Sequence, residues 1–540
     1  MIKLSNRGIS ASNGIAVGKL KFLKNSIDKL PSYTVQYTDS ELRRYENAKK
    51  IALSELEELH EKAIADSGED NAEIFSIHKV MLEDVDFNDE VKNNIEKHRK
   101  NAEKAVSDAS KSFIGMLEAT GDAYLMARAT DVRDVSERVI RILLGKSTSV
   151  NFIDEECIIY TDDLTPSEAL SLDKEKILAF MTAYGSSSSH TAILARTSGI
   201  PCIVGCGILP EEYDGKQAVI DGGTGGFEIE PTEDTLKHYR ALMETEKKQK
   251  ERLLSLKGLK SITKKGKEIL LYANIGGKTD TKAVVDNDAE GIGLFRTEFI
   301  FIEKSSLPSE EEQFIIYSEI ARKMNGKRVI IRTLDIGADK NAEYLKLPIE
   351  ENPALGLRGI RLCLFKPEIF KTQIRAILRA SEFGKIAIMI PMIASVFEIK
   401  EAKRLISEVK NELEREKISF DRSIEIGIMI ETPAAAILSD KLASEVDFFS
   451  IGTNDLTQYT LAADRQNPAA AKYYRQDHEA VLWLIKRVCR NAHKAGIWVG
   501  VCGELASELS MTKKLLSLGV DELSVTPPMI LPIREKIRNI

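Results

Sequence analysis

The chain has 540 residues, 43% hydrophobic and 29% charged, a composition that excludes disordered, collagenous and membrane-bundle proteins and leaves room for three or four folding units. Its 76 basic residues are interspersed among 83 acidic ones for a net charge of -7, which excludes the basic stripe of a nucleic-acid binder. The opening MIKLSNRGIS has no apolar signal core and no apolar run is long enough to span a bilayer, so a cytoplasmic protein without membrane insertion is expected.

In chain order, GIAVGKLKFL in the first residues reads as strand and turn. From Ser40 to about Gly68, Leu42, Tyr45, Ala48, Ala52, Leu56, Leu59 and Ala63 keep an i, i+3, i+4, i+7 rhythm, which predicts an amphipathic helix. Segments 71–82, 86–99, 101–119 and 123–145 carry similar stripes, with Gly145 as a stop, so residues 35–145 read as a helical bundle. Short apolar runs then follow at 157–160, 177–181, 202–205 and 218–221, bounded by Gly, Asp and Pro, the texture of a compact α/β unit. The bundle is either an insertion in that unit or its neighbour. Residues 233–256 are charge-dense and poor in apolar groups, as in a solvent-bridging linker helix.

From Lys267 onward eight buried-strand candidates, ILLYAN, GIGLF, VIIRTLDIG, IAIMIPMI, IGIMIET, FFSIGTNDL, WVGVCGE and VDELSV, alternate with helical stretches, which predicts a (β/α)8 barrel. Active sites lie at the C-terminal face of such barrels, and those strand ends carry Asn274, Arg296, Arg332, Met392, Glu431, Asn454, Asp455 and Cys502. With Arg358 and Arg465 in the loops and Lys340 nearby, the mouth is cationic and calls for an anionic, phosphorylated and carboxylated ligand, because guanidinium forks bind both groups bidentately. Glu431 and Asp455 are hard oxygen donors suited to Mg²⁺, or else partners of the arginines in an ion network. Six scattered cysteines without a CxxC pair point to reduced thiols, and seven histidines without an HExxH spacing argue against a histidine-ligated metal. Cys502 is either a buried hydrophobe or, at a barrel strand end, a general acid or base toward carbon. In YGSSSSHTAILART a Gly/Ser turn meets a helix starting near His190, where backbone N–H groups would wrap a phosphate beside an imidazole nucleophile.

Taken together, DLTPSEAL, SHTAILAR, GIGLFRTEFIF, IRTLDIGADK, ENPALGLRGIR, FFSIGTNDLTQYTLAADR and VCGELA resemble the enzyme I family of the bacterial phosphoenolpyruvate-dependent sugar phosphotransferase system, in the same order over nearly the whole chain. The resemblance implies a swivelling phosphohistidine α/β domain (1–30 and 146–232) with an inserted helical domain that docks the phosphocarrier HPr (31–145), a linker helix (233–257) hinged at each end, and a homodimerising, phosphoenolpyruvate-binding TIM barrel (258–540). It implies that His190 takes the phosphoryl group, that Arg296, Arg332 and Arg465 hold the phosphate while Arg358, Lys340 and the Asn454 backbone place the substrate, that Glu431 and Asp455 bind Mg²⁺, and that Cys502 protonates the enolate carbon. His78 and Arg128 would lie on the HPr-docking face. The chain departs from the family at Ser186, where a second glycine is usual, and at Ala169, where a threonine that would orient the imidazole is common. Three other functions stay open beside it: a divergent paralogue phosphorylating a specialised regulatory carrier, a non-catalytic phosphoenolpyruvate sensor, and a phosphoenolpyruvate synthase or dikinase. The last would need a nucleotide-binding domain, for which residues 1–145 offer no P-loop.

Overall fold

The computed structural model describes residues 4–540 except 24–29, 68, 120–122, 146–152, 154, 163, 165–167, 169–171, 187–188, 303, 305, 338–342, 346, 348–349, 466 and 468. The chain divides into two compact units, Met1–Lys248 and Gln249–Ile540.

The first unit is built on a mixed sheet of β1 (Leu4–Arg7), β2 (Ile9–Ser12), β3 (Ile15–Phe22), β4 (Cys157–Thr161), β5 (Ile177–Thr182), β6 (Cys202–Val204), β7 (Gln217–Asp221) and β8 (Gly226–Ile229). Their spatial order is β1-β8-β7-β3-β4-β5-β6-β2. β3 pairs in parallel with β4, Leu20 opposite Ile158, so the chain leaves the sheet at one strand and re-enters it at the neighbouring one. Between them run α1 (Thr38–Ser67), α2 (Glu69–Glu83), α3 (Val85–Glu96), α4 (Ala102–Ala119) and α5 (Ala123–Leu143). The α1 stripe Tyr45, Ala48, Ala52 and Leu56 packs against Phe75, Leu82, Val91, Val106 and Val139, the apolar face that helical spacing creates. Asp84 starts α3 by accepting the Phe87 N–H at 2.8 Å, satisfying a donor that a helix leaves open. α6 (His190–Ser198) connects β5 to β6, and the long α7 (Glu233–Leu254) follows β8.

The second unit is a closed parallel barrel of β9 (Leu270–Ile275), β10 (Gly291–Arg296), β11 (Arg328–Arg332), β12 (Ile386–Ile390), β13 (Glu425–Ile430), β14 (Phe448–Ile451), β15 (Trp498–Val501) and β16 (Glu522–Val525). Both faces of each strand are covered, which is why the runs are continuously apolar. Val329 and Ile331 of β11 and Val499 and Val501 of β15 face the surrounding helices, while Tyr272, Leu294, Ile330, Met389, Met429, Phe448 and Cys502 fill the interior. The period of two decides which residues line the barrel. Its floor is closed by Phe448 stacked on Trp498 at 4.6 Å, with the Arg328 guanidinium over the indole and paired to Glu425 at 2.8 Å.

The last helix, Ile530–Asn539, clasps the segment that follows α7. Its fully buried Arg534 donates to the Leu256 carbonyl at 3.2 Å, to Ser261 Oγ at 3.3 Å and to the Asp288 side chain and carbonyl. Arg538 adds a bond to the Lys260 carbonyl at 2.6 Å, and Glu535 an ion pair with Arg252 at 2.5 Å. Among the described residues no helix is long and apolar enough to cross a membrane, and all six cysteines are buried free thiols.

Candidate active site at the barrel mouth

At the C-terminal end of the strands lies a cleft of about 210 Å³ lined by Arg296, Glu298, Arg332, Asp335, Arg358, Met429, Asn454, Asp455, Arg465, Cys502 and Glu504. Arg296 and Arg332 close β10 and β11 in register with one another. Arg332 is 6% exposed and held from two sides, donating from Nη2 to Glu298 Oε1 at 2.6 Å and pairing through Nη1 with Asp335 Oδ2 at 3.0 Å. Asp335 also receives Arg358, with Nη2 at 3.0 and 3.2 Å and Nε at 3.3 Å. One buried carboxylate therefore aligns two arginines. Burial opposes the charge of both guanidiniums, and Glu298 and Asp335 around Arg332, with Asp335 and Asp455 around Arg358, more than restore it. They stay cationic in a dry site, where their forks are strongest.

Glu431 follows β13 and is fully buried. Its Oε1 accepts the Met392 N–H at 2.6 Å, and Met392 adopts a positive φ of 59° to present that N–H, a strained conformation of the kind found at functional sites. Oε2 has no hydrogen-bond partner and faces Gly452 of the cleft wall, where a Cβ would come within 2.8 Å. Burial pushes this carboxyl well above the usual range, Asp335 and Asp455 adding to the effect and the two arginines opposing it. Asp455, in the first turn of the helix Thr453–Leu461, lies 3.6 Å from Arg358 Nη1. Among the described residues no three His, Cys, Asp or Glu side chains form a ready metal cage. An unspent Glu431 oxygen and Asp455 beside it instead suit a cation that takes its other ligands from substrate and water.

Asn454 is fixed by Glu504, which donates its N–H to Oδ1 at 2.9 Å and accepts from Nδ2 at 3.1 Å. Its carbonyl accepts the Tyr474 hydroxyl at 3.1 Å, which leaves its N–H, among the first of that helix, for a ligand. Arg465 lines the same cleft from the loop beyond. Cys502, one residue past β15, is buried, its thiol 3.7 Å from the Ile451 carbonyl. Burial pushes that thiol up to about 12, so it holds its proton at neutral pH and suits an acid rather than a metal ligand. Asn274 reaches across to donate to the Cys502 carbonyl at 3.1 Å.

In the first unit His190 is the first residue of α6, whose N-cap Ser189 accepts the Ala192 N–H at 3.4 Å. Thr191 Oγ1 accepts the Leu164 N–H at 3.1 Å, tying the preceding loop to this helix start. Gly185 turns the chain toward it at φ 106°, a value that favours glycine. The His190 side chain, Lys340 and Ala169 lie outside the described residues, whereas Ser186 is exposed in the loop.

Helical spacing places His78 with the inward-facing residues of α2, and it is 0% exposed. Its Nε2 is 3.4 Å from Asp131 and its Nδ1 3.8 Å from Asp134, so its ring belongs to the bundle interior and not to an exposed docking face. Arg128 pairs with Asp131 at 3.0 Å and lines an apolar groove of about 330 Å³ with Val80, Met81, Phe87, Phe113 and Leu117. Sequence reasoning missed Glu298 and Asp335; the signal is an acid two or three residues beyond each strand-end arginine, in RTE and RTLD.

Three family models cover the chain: the N-terminal domain of phosphoenolpyruvate-utilising enzymes at 7–128, their mobile domain at 153–225 and their phosphoenolpyruvate-binding domain at 250–540. The phosphoenolpyruvate-protein phosphotransferases of Priestia megaterium and Bacillus subtilis are each 42% identical over 536 residues, 99% of this chain and 94% of theirs. The chain belongs to the phosphoenolpyruvate-protein phosphotransferase family. A solution structure of an Enzyme I protein, 32% identical, matches 45% of this chain and 99% of its own with a TM-score of 0.39. Family membership agrees with the fold derived above, a helical N-terminal region followed by an α/β unit and a parallel barrel.

Proposed function

We propose that the chain takes the phosphoryl group of phosphoenolpyruvate onto His190, releases pyruvate, and passes the group to a small phosphocarrier of the HPr kind as the first step of sugar uptake. The observation that carries the reading is the barrel-mouth cleft, where four arginines, four carboxylates and a protonated thiol converge. Arg296, Arg332 and Arg465 bind the phosphate; Arg358, Lys340 and the Asn454 N–H hold the carboxylate end and enol oxygen. Guanidiniums already locked by Glu298 and Asp335 need no reorganisation as charge shifts from the phosphoryl group to the leaving enolate. Cys502 then gives its proton to the enolate carbon, and the keto acid leaves. Glu431 and Asp455 would hold a divalent cation, Mg²⁺ in this reading, which when bound neutralises phosphate charge. His190, at a helix start where backbone N–H groups favour an anion, carries the phosphate between partners.

The residue ranges 1–30 with 146–232, 31–145, 233–257 and 258–540 are the working parts of this reading: the histidine carrier, the docking domain, the linker and the substrate barrel. Docking is supported by the groove beside Arg128, flanked by exposed Val80, Val85 and Met116, an apolar surface of the kind that partners cover. Exposed Phe365 and Phe397 on the barrel flank support a homodimer there. A cytoplasmic location follows from the carrier chemistry.

Incubation with phosphorus-labelled phosphoenolpyruvate, with and without Mg²⁺, tests the proposal. The expected result is cation-dependent, acid-labile label on the wild-type chain and none on His190→Ala. Binding without label would make the chain a phosphoenolpyruvate sensor.

A further inference from the structure

The barrel interior holds an acid that this chemistry leaves unused. Glu522 opens β16 with its side chain turned inward and is 1% exposed. Two glycines make the space for its carboxyl: a Cβ on Gly293 of β10 would lie 2.7 Å from Oε1, and one on Gly500 of β15 would overlap Oε2. Gly500 is the inward position two residues before Cys502. The carboxyl thus occupies the side-chain place that β15 lacks, one inward layer or about 7 Å of strand rise beneath the thiol.

The surroundings keep that carboxyl protonated. Oε1 has no hydrogen-bond partner, and burial raises the group far above the ordinary carboxylate range, with Arg328 opposing. Arg328 is engaged by Glu425 and the Trp498 ring; the phenol of Tyr272 on β9, the other ionisable neighbour below the thiol, is itself pushed up to about 12 by burial. Ser450 is in register with Gly500, its hydroxyl is buried with no hydrogen-bond partner of its own, and it favours the Cys502 thiolate against the effect of burial, so it is the polar group available to connect the two acids. The stacked floor of Phe448 and Trp498 blocks water from below.

We propose that Glu522 is a proton store for Cys502, an inference that rests on Cys502 being the acid of the reaction. When Cys502 protonates the enolate carbon, its S–H bond breaks, a C–H bond forms, and the sulfur keeps the electron pair. The Glu522 O–H then breaks, its proton passing through the Ser450 hydroxyl to the thiolate, and the S–H bond reforms. The resulting carboxylate recovers a proton from water after pyruvate has left. Glu522 touches no substrate and acts through Cys502.

The experiment is steady-state pyruvate release by the full chain with Mg²⁺ and an excess of an HPr-type phosphocarrier, in which every net turnover consumes the Cys502 proton and requires its replacement, with phosphoenolpyruvate affinity as the folding control. Glu522→Gln is expected to lower the release rate at least tenfold at unchanged affinity. Glu522→Ala is expected to lose steady-state release and recover part of it with added formate, a gain that a packing role would not produce. Release by Glu522→Gln within twofold of wild type, while Cys502→Ala abolishes it, overturns the store and leaves the Cys502 assignment standing. Full release by Cys502→Ala removes both. If Glu522→Gln fails to bind phosphoenolpyruvate, Ser450→Ala decides, and a wild-type rate there overturns the relay.

Discussion

The helical bundle and the barrel both bury ionisable side chains, and they do so to opposite ends. In the bundle His78, Asp131 and Asp134 are enclosed by helices, their nearest approaches 3.4 and 3.8 Å. At the barrel mouth Arg332, Asp335 and Arg358 meet at 3.0 Å on the wall of an open cleft. Burial of charge does not by itself mark a site. What distinguishes the mouth is that four guanidiniums line an open cleft, while in the bundle the acids turn inward to a histidine and a neighbouring arginine.

Changes at the mouth should therefore strike the chemistry, and changes in the bundle only its stability. The largest effect is expected for Asp335→Asn, which frees both arginines: kcat/KM for self-phosphorylation should fall by at least about a hundredfold, on the scale of a lost charge-stabilising group, with about 3–5 kcal/mol of stability lost from a broken buried pair. Initial rates and denaturant melts check both, and wild-type kinetics would erase the distinction. Next is Glu137 in the bundle, which burial pushes up to about 7. Its protonated form is favoured by folding, so the stability it contributes is fully present below pH 4.5 and lost as pH rises through 7. The stability gap between Glu137→Gln and wild type should accordingly widen across that window to at most about 3 kcal/mol, read from urea melts at several pH values. The smallest effect is expected for Asp131→Asn. Although burial raises Asp131, His78 and Arg128 hold it below its ordinary value, and the change should cost about 1–3 kcal/mol. Labelling of His190 from phosphoenolpyruvate should be unaltered, and its loss would show that the bundle cluster takes part in the chemistry.

Much of this was legible from residue order. The α1 stripe and the barrel runs announce their elements, because a helix buried on one side and a strand buried on both leave unmistakable periods. β8 escaped notice because GFEI is short and follows a glycine-rich turn. That the bundle interrupts the sheet rests on β3 pairing with β4, a contact across more than a hundred residues that no local pattern carries. At the mouth the arginines and Glu431 stand at strand ends and could be named. Asp335 could not, since acids near arginines are common in any charged chain and only the fold shows which one is shared by two. IFSIHKVML allows His78 to be either a docking-face or a packed helix residue, and the structure shows the second: Phe75 and Leu82 mark the apolar side of that helix, and the histidine is buried with them.

The Arg534 clasp ties the beginning of the second unit to its end. Bonds to the Leu256 and Lys260 carbonyls and to Ser261 join the segment after α7 to a helix 278 residues further along the chain. Trimming that last helix should therefore loosen a stretch of chain that lies next to it in space and far from it in sequence.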